Sequence, residues 1–273
     1  MGAFYAGYGV LSYAVFLASF LYVIGFLGNF AVPVTIDGPA GLPPAQAAIV
    51  DTLVLGLFAI QHSVMARPGF ERWWTRIVPA AIERSTYVLL ASLLLFLVYG
   101  LWPPIAGSVW DLRGTTAGTG LEGLRWLGWS IVLLSTFLIS HFELFGLWQV
   151  WSAWRGRQIP PTQFRKVFLY KAVRHPIMLG FVIAFWATPV MTVGYLLFAG
   201  LACGYIMVGL ALEERDLLRA FGERYQRYRG EVPMLIPFLR LPRGRGAARP
   251  RRSRRRGVDG GPNDPRAALT VGG

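Results

Sequence analysis

The sequence predicts an all-α integral membrane protein with five to six transmembrane helices, a C-terminal helical hairpin and a cytoplasmic cofactor-binding segment. Of 273 residues, 54% are hydrophobic and 15% charged, against about 25% charged in soluble domains. The apolar residues gather into runs approaching the roughly 20 residues that cross a bilayer as a helix. The runs lack the polar–apolar alternation over about ten positions that marks an outer-membrane barrel. Cys203 is the single cysteine and sits inside an apolar run. That excludes a disulfide framework or a cysteine metal cluster within one chain.

Taken in order, the spans are about 9–34, 47–66, 86–105, 124–150, 177–190 and 192–212. The first has no basic leader before it and exceeds the h-region of a cleavable signal, so it reads as a permanent span. The last two form one apolar stretch from Ile177 to Leu212. As one helix it would be about 54 Å long, against a hydrocarbon core of about 30 Å. Pro189 and Gly194 near its middle predict a tight hairpin with short arms.

Charge sets the orientation. Segment 67–84 carries Arg67, Arg72, Arg76 and Arg84, and segment 152–176 carries Arg155, Arg157, Arg165, Lys166, Lys171 and Arg174. Segment 35–46 has no Lys or Arg, and 106–123 has only Arg113. Basic residues stay on the cytoplasmic side, which predicts both termini in the cytoplasm of a bacterial inner membrane. Residues 1–239 form one transmembrane domain. Residues 240–273 hold ten arginines against two aspartates and almost nothing to bury. They read as a disordered basic tail, which anionic headgroups attract more plausibly than nucleic acid does.

Chemistry concentrates in 171–237. The chain reads KAVRHPIMLG, enters the hairpin and emerges as EERDLLRAFGERYQRYRGEVPMLIP. A hairpin brings its ends together, so Arg174 and His175 should neighbour Glu213 and Glu214. Pro176 suits the first turn of a helix. Gly180, one turn on, would let a backbone or a ligand approach closely. Tyr225 and Tyr228 lie three apart on one helix face. Membrane-boundary charges often serve only as anchors. The convergence of two opposite clusters with aromatic rings suits an amino-acid-like nucleotide cofactor.

The pattern RHPxMxG, a hairpin and EERDLxxxFGxxYxxYxxxVPxxIP resembles the isoprenylcysteine carboxyl methyltransferase superfamily of integral membrane methyltransferases. QHSVMARPGFERWWTR (61–76), ERSTYVLLASL (83–93) and the stretch 174–199 are similar to its methanethiol S-methyltransferase branch, close to NnrU-like proteins. The branch resemblance covers most of residues 50–237. It implies S-adenosylmethionine as methyl donor, a small volatile thiol as acceptor and dimethyl sulfide as product. Arg174, His175 and Gly180 would contact the cofactor. Glu213 and Glu214 would face its amino-acid or ribose end, with Tyr225 and Tyr228 closing the pocket. Val173 stands where the isoprenylcysteine enzymes often carry Phe, and the extra N-terminal apolar bulk argues against a prenylated protein as substrate.

Ionisable groups within spans are costly and usually face the interior. The polar residues in the spans here are Asp51, Gln61, His62, Glu83, His141 and Glu143, all but Gln61 ionisable. His141 and Glu143, like Arg174 and His175, are candidates for raising the thiolate fraction, the thiolate being the reactive form. His-x-Glu on one helix splays its side chains about 200° apart, and no metal site is expected. Three alternatives stand: a methyltransferase for another small thiol or hydrophobic acceptor, a non-enzymatic NnrU-like protein, and a channel or transporter. A channel would need a polar lining across the whole bilayer, and no obligate protein partner is indicated.

Overall fold

The computed structural model describes residues 2–158 and 166–237. The basic tail expected over 240–273 lies outside the described residues. Ten helices and two short strands follow one another along the described chain, and five helices are long and apolar enough to cross a membrane.

Helix α1 (Gly2–Gly28) begins earlier than the apolar run suggested and ends before it. Asn29 and Ala31 take left-handed φ values of 56° and 59°, which stop the helix inside the apolar stretch. The Asn29 side chain donates to Asp37 at 2.8 Å and fixes the turn. Helix α2 (Pro44–Met65) starts on a proline whose missing N–H costs nothing there. The short α3 (Pro68–Trp74) leads into α4 (Ala80–Leu101).

Helix α5 (Thr116–Ile139) is capped by Thr115, whose hydroxyl accepts from Gly118 N at 3.0 Å. The fourth span, expected to continue to residue 150, stops at Ile139. Ser140 takes extended backbone, and the chain resumes as α6 (His141–Leu144) and α7 (Leu147–Trp154). The apolar run continues through this break, so hydropathy alone could not reveal it. Beyond the four-residue α8 (Leu169–Ala172) lies the hairpin. Its first arm, α9 (Pro176–Trp186), has 11 residues, about 16 Å of helix. Its second, α10 (Val193–Glu231), has 39.

Strand β1 (Ser108–Asp111), between α4 and α5, pairs antiparallel with β2 (Val190–Thr192) at the hairpin tip. Two loops expected on the same, non-cytoplasmic side therefore meet. Trp110 Nε1 donates to the Thr188 carbonyl at 3.1 Å and tightens the junction. Thr192 caps α10 by accepting from Tyr195 N at 3.1 Å.

The principal core draws on α1, α4, α5, α9 and α10 through Phe26, Tyr99, Trp102, Trp129, Phe185 and Phe198. Within lipid the hydrophobic effect does little to hold helices together, and close packing of small residues matters more. Helices α5 and α9 meet in this way. A Cβ on Gly180 would lie 2.7 Å from the Gly128 carbonyl oxygen and 2.8 Å from Val132 N. The close approach anticipated at Gly180 is made by another backbone, and it fixes how far His175, one turn below, stands from α5.

Candidate active site

The site forms where three segments meet beyond the apolar part of the hairpin. Arg174 and His175 immediately precede α9, and His175 occupies its N-cap position. Glu213 and Glu214 lie on α10 just past Leu212, where the apolar stretch ends. The third segment is the continuation of α10, which does not run straight. Gly222 adopts φ 50° and ψ −127° inside it, a conformation only glycine enters cheaply. Nothing lies within 4 Å of a Cβ built there, so the demand for glycine is purely conformational.

The turn at Gly222 folds the last part of α10 back on the first. Along a straight helix residues 214 and 225 would be about 16 Å apart. Instead the Tyr225 hydroxyl donates to Glu214 Oε1 at 2.6 Å. Tyr228 donates to the Tyr170 carbonyl at 2.6 Å. The chain then passes alongside the RHP segment. Arg174 N donates to the Pro233 carbonyl at 2.9 Å, and His175 N to that of Met234 at 3.2 Å. Arg174 Nη1 reaches the Arg229 carbonyl at 2.9 Å, and Lys166 pairs with Glu231 at 2.6 Å.

Glu214 is the hub. Its side chain is 8% exposed, as is that of Arg174. Its Oε1 lies 2.9 Å from His175 Nε2 and 2.9 Å from Arg174 Nε, while Oε2 lies 3.3 Å from Arg229 Nε. The Arg174 Nε contact is an ion pair without hydrogen-bond alignment. His175 bridges both acids, with Nδ1 3.5 Å from Glu213 Oε2. Burial pushes the Glu214 carboxyl up. Hydrogen bonds from His175 and Tyr225 and the Arg174 charge outweigh it, and the group sits below the ordinary glutamate range. Burial, reinforced by Glu214, raises the Tyr225 phenol well above its usual range, so it remains a proton donor. An anionic carboxylate gathering several donors is the strong form of such contacts.

Arg174, His175, Glu213, Glu214 and Tyr225 are thus brought together, with Tyr228 beside them at a ring-centroid distance of 5.8 Å from Tyr225. His141 lies in a different setting. Its Nε2 is 2.8 Å from the Tyr13 hydroxyl and its Nδ1 2.8 Å from that of Thr136. Phe137 stacks on the ring at 4.2 Å. The Glu143 carbonyl accepts from Gln149. His62 meets the Tyr87 hydroxyl at 3.0 Å, and Asp51 is fully buried in α2. Three contributors escaped the sequence reading. Arg229 was not singled out among the cations after the hairpin, Tyr170 acts through its carbonyl, and Gly222 is a single residue amid helix formers. The FG step of the C-terminal pattern was the available signal for Gly222.

No protein-family profile matches the chain, and no solved structure does. Among curated sequences, the chain is 57% identical over 231 residues to the methanethiol S-methyltransferase of Mycobacterium tuberculosis, covering 85% of this chain and 95% of that protein. It is 51% identical over 233 residues to the methanethiol S-methyltransferase of Pseudomonas deceptionensis, covering 85% and 89%. A more distant similarity, 28% over 175 residues, links it to Nurim of Rattus norvegicus, covering 61% and 66%.

Proposed function

The chain belongs to the methanethiol S-methyltransferase family, and we propose that it carries a methyl group from S-adenosylmethionine to methanethiol, giving dimethyl sulfide, with the Arg174–His175–Glu214 cluster holding the donor. The observation that carries this reading is Glu214 itself. A buried carboxylate with an arginine, a histidine and a tyrosine on one oxygen stands at the edge of an apolar hairpin.

The groups present fit that donor. Glu213, whose side chain is 45% exposed, offers a carboxylate to an ammonium group. Arg174, lacking an aligned partner at Nε, offers a guanidinium to a carboxylate. Tyr225 and Tyr228 supply ring faces to a base. When bound, S-adenosylmethionine supplies a sulfonium-activated methyl group that a thiolate sulfur accepts in one displacement.

The remaining tasks belong to the chain. Arg174 places positive charge where a thiol must ionise, which raises the thiolate fraction. His175, between two carboxylates, takes up the thiol proton. The segment 223–237 covers the cluster and excludes water. The apolar wall of α5, α9 and α10 admits a small thiol dissolved in the bilayer and aligns it, which lowers the entropic cost of the encounter. His141 pins the α5–α6 break, and neither it nor Glu143 transfers a proton in this reading. The site faces the cytoplasm of a bacterial inner membrane, with both termini on that side. The meeting of β1 and β2 puts their two loops on one side, and the basic segments 67–84 and 152–176 favour the cytoplasm for the other.

The test uses detergent-purified protein and its His175→Ala and Glu214→Ala variants. Calorimetry measures S-adenosylmethionine binding, and headspace analysis follows dimethyl sulfide after methanethiol is added. Saturable binding and product in the wild type, both lost in the variants, is the expected result. A folded wild type that binds no S-adenosylmethionine overturns the donor assignment. Binding and turnover unchanged in both variants overturn the site.

A further inference from the structure

A second feature lies apart from this cluster, where the start of α1 meets α7. Gly2 abuts Trp154, and Gly9 packs against Val150. Between these contacts the two helices leave an apolar groove of about 280 Å3, walled by Ala6, Val10, Phe142, Leu147, Trp148 and Trp151. Trp148, Trp151 and Trp154 are each more than two-fifths exposed, which suits a short helix lying at headgroup depth.

One end of the groove is charged. The Arg155 guanidinium lies over the Trp151 ring at 4.6 Å from its centroid and over Trp154 at 5.5 Å. Two indole faces, one of them the groove-lining Trp151, therefore hold the cation beside the groove. Among the described residues no salt bridge reaches Arg155. Arg157, exposed two residues on, adds charge of the same sign. The apolar channel suits a hydrocarbon chain, and the guanidinium fork matches a phosphate. Two arginines favour a headgroup of net negative charge over a zwitterionic one, whose ammonium they would repel.

We propose that this groove is a binding site for one anionic phospholipid, an acyl chain lying between α1 and α7 and the phosphate on Arg155. The site does not depend on the methyltransferase reading. It is also distinct from diffuse attraction of headgroups to the arginine-rich tail.

Full-length protein in nanodiscs of phosphatidylcholine, with or without added phosphatidylglycerol, tests it. Native mass spectrometry counts retained lipid, and thermal unfolding gives Tm. The wild type should retain phosphatidylglycerol over phosphatidylcholine and unfold at a higher temperature with it. Arg155→Gln should weaken that retention about fivefold, the factor one surface cation contributes. Ala6→Phe, which fills the groove without touching charge, should abolish retention, and Arg155→Lys should keep part of it. Wild-type retention in both Arg155→Gln and Ala6→Phe overturns the proposal. So does loss of retention when Arg249, Arg251, Arg252, Arg254, Arg255 and Arg256 are changed to Gln with Arg155 intact. A second copy of the chain in place of lipid also overturns it.

Discussion

Two buried histidines in this protein show how different a histidine's surroundings can be at similar exposure. His175 and His141 are 6% and 5% exposed. His175 lies between two carboxylates, within reach of a buried arginine. His141 lies between two neutral hydroxyls, from Tyr13 and Thr136, with Phe137 stacked on its ring. Charged partners make a proton at His175 matter to the field around it. Neutral hydrogen bonds on both nitrogens fix the His141 ring in orientation. Burial alone does not separate these roles, but the charge of the partners does.

The largest expected effect comes from removing the charge that organises His175. Glu214→Ala leaves Arg174 buried without its carboxylate, and loss of one partner of a buried pair costs about 3–5 kcal/mol. Chemical denaturation in detergent should show that loss, and calorimetry should show no S-adenosylmethionine binding. A Glu214→Ala protein that keeps wild-type stability would mean that Arg174 finds water, and the contrast between the two histidines would collapse.

Tyr225→Phe removes one donor from the same carboxylate. A hydrogen bond to a charged group is worth about 1.5–3 kcal/mol, so donor affinity should fall by tenfold or more while the fold survives. His141→Phe sharpens the comparison from the other side. It strands the Tyr13 hydroxyl at a cost of about 1–3 kcal/mol, while that of Thr136 keeps the Leu133 carbonyl. Turnover per folded molecule should stay near the wild-type value. Dimethyl sulfide production that collapses while Tm barely moves would instead place His141 in the chemistry.

The smallest effect is a pH dependence. Glu214 is held below its ordinary range in the folded protein. Its contribution to stability is therefore present above the unfolded glutamate pKa and lost as pH falls through the folded value. Unfolding midpoints measured from neutral pH into the acid range should drop for the wild type and drop less for Glu214→Gln. Equal slopes would indicate that another carboxylate governs the acid limb.

The convergence of Arg174 and His175 on Glu213 and Glu214 was legible in the sequence, because a tight hairpin must bring its two ends together. The five long helices were legible because hydropathy reports length and depth. The stop at Ile139 was not, since the residues after it are as apolar as those before. Gly180 was legible as a close approach, but only packing could tell that its neighbour is the Gly128 backbone. Arg229 was hidden because its value depends on a reversal at Gly222, and backbone dihedrals leave no periodic signature.

That reversal also bears on the order in which the molecule is built. The hairpin, with Arg174, His175 and Glu214, precedes Gly222 in the chain, whereas Tyr225, Arg229, Pro233 and Met234 follow it. During synthesis the spans can enter the membrane before the returning strap has left the ribosome. In the proposed reading, a polypeptide interrupted between Gly222 and Met234 would carry its spans without a covered donor site. On that reading the capacity for methyl transfer arrives with the covering segment, after the membrane has already accepted the spans.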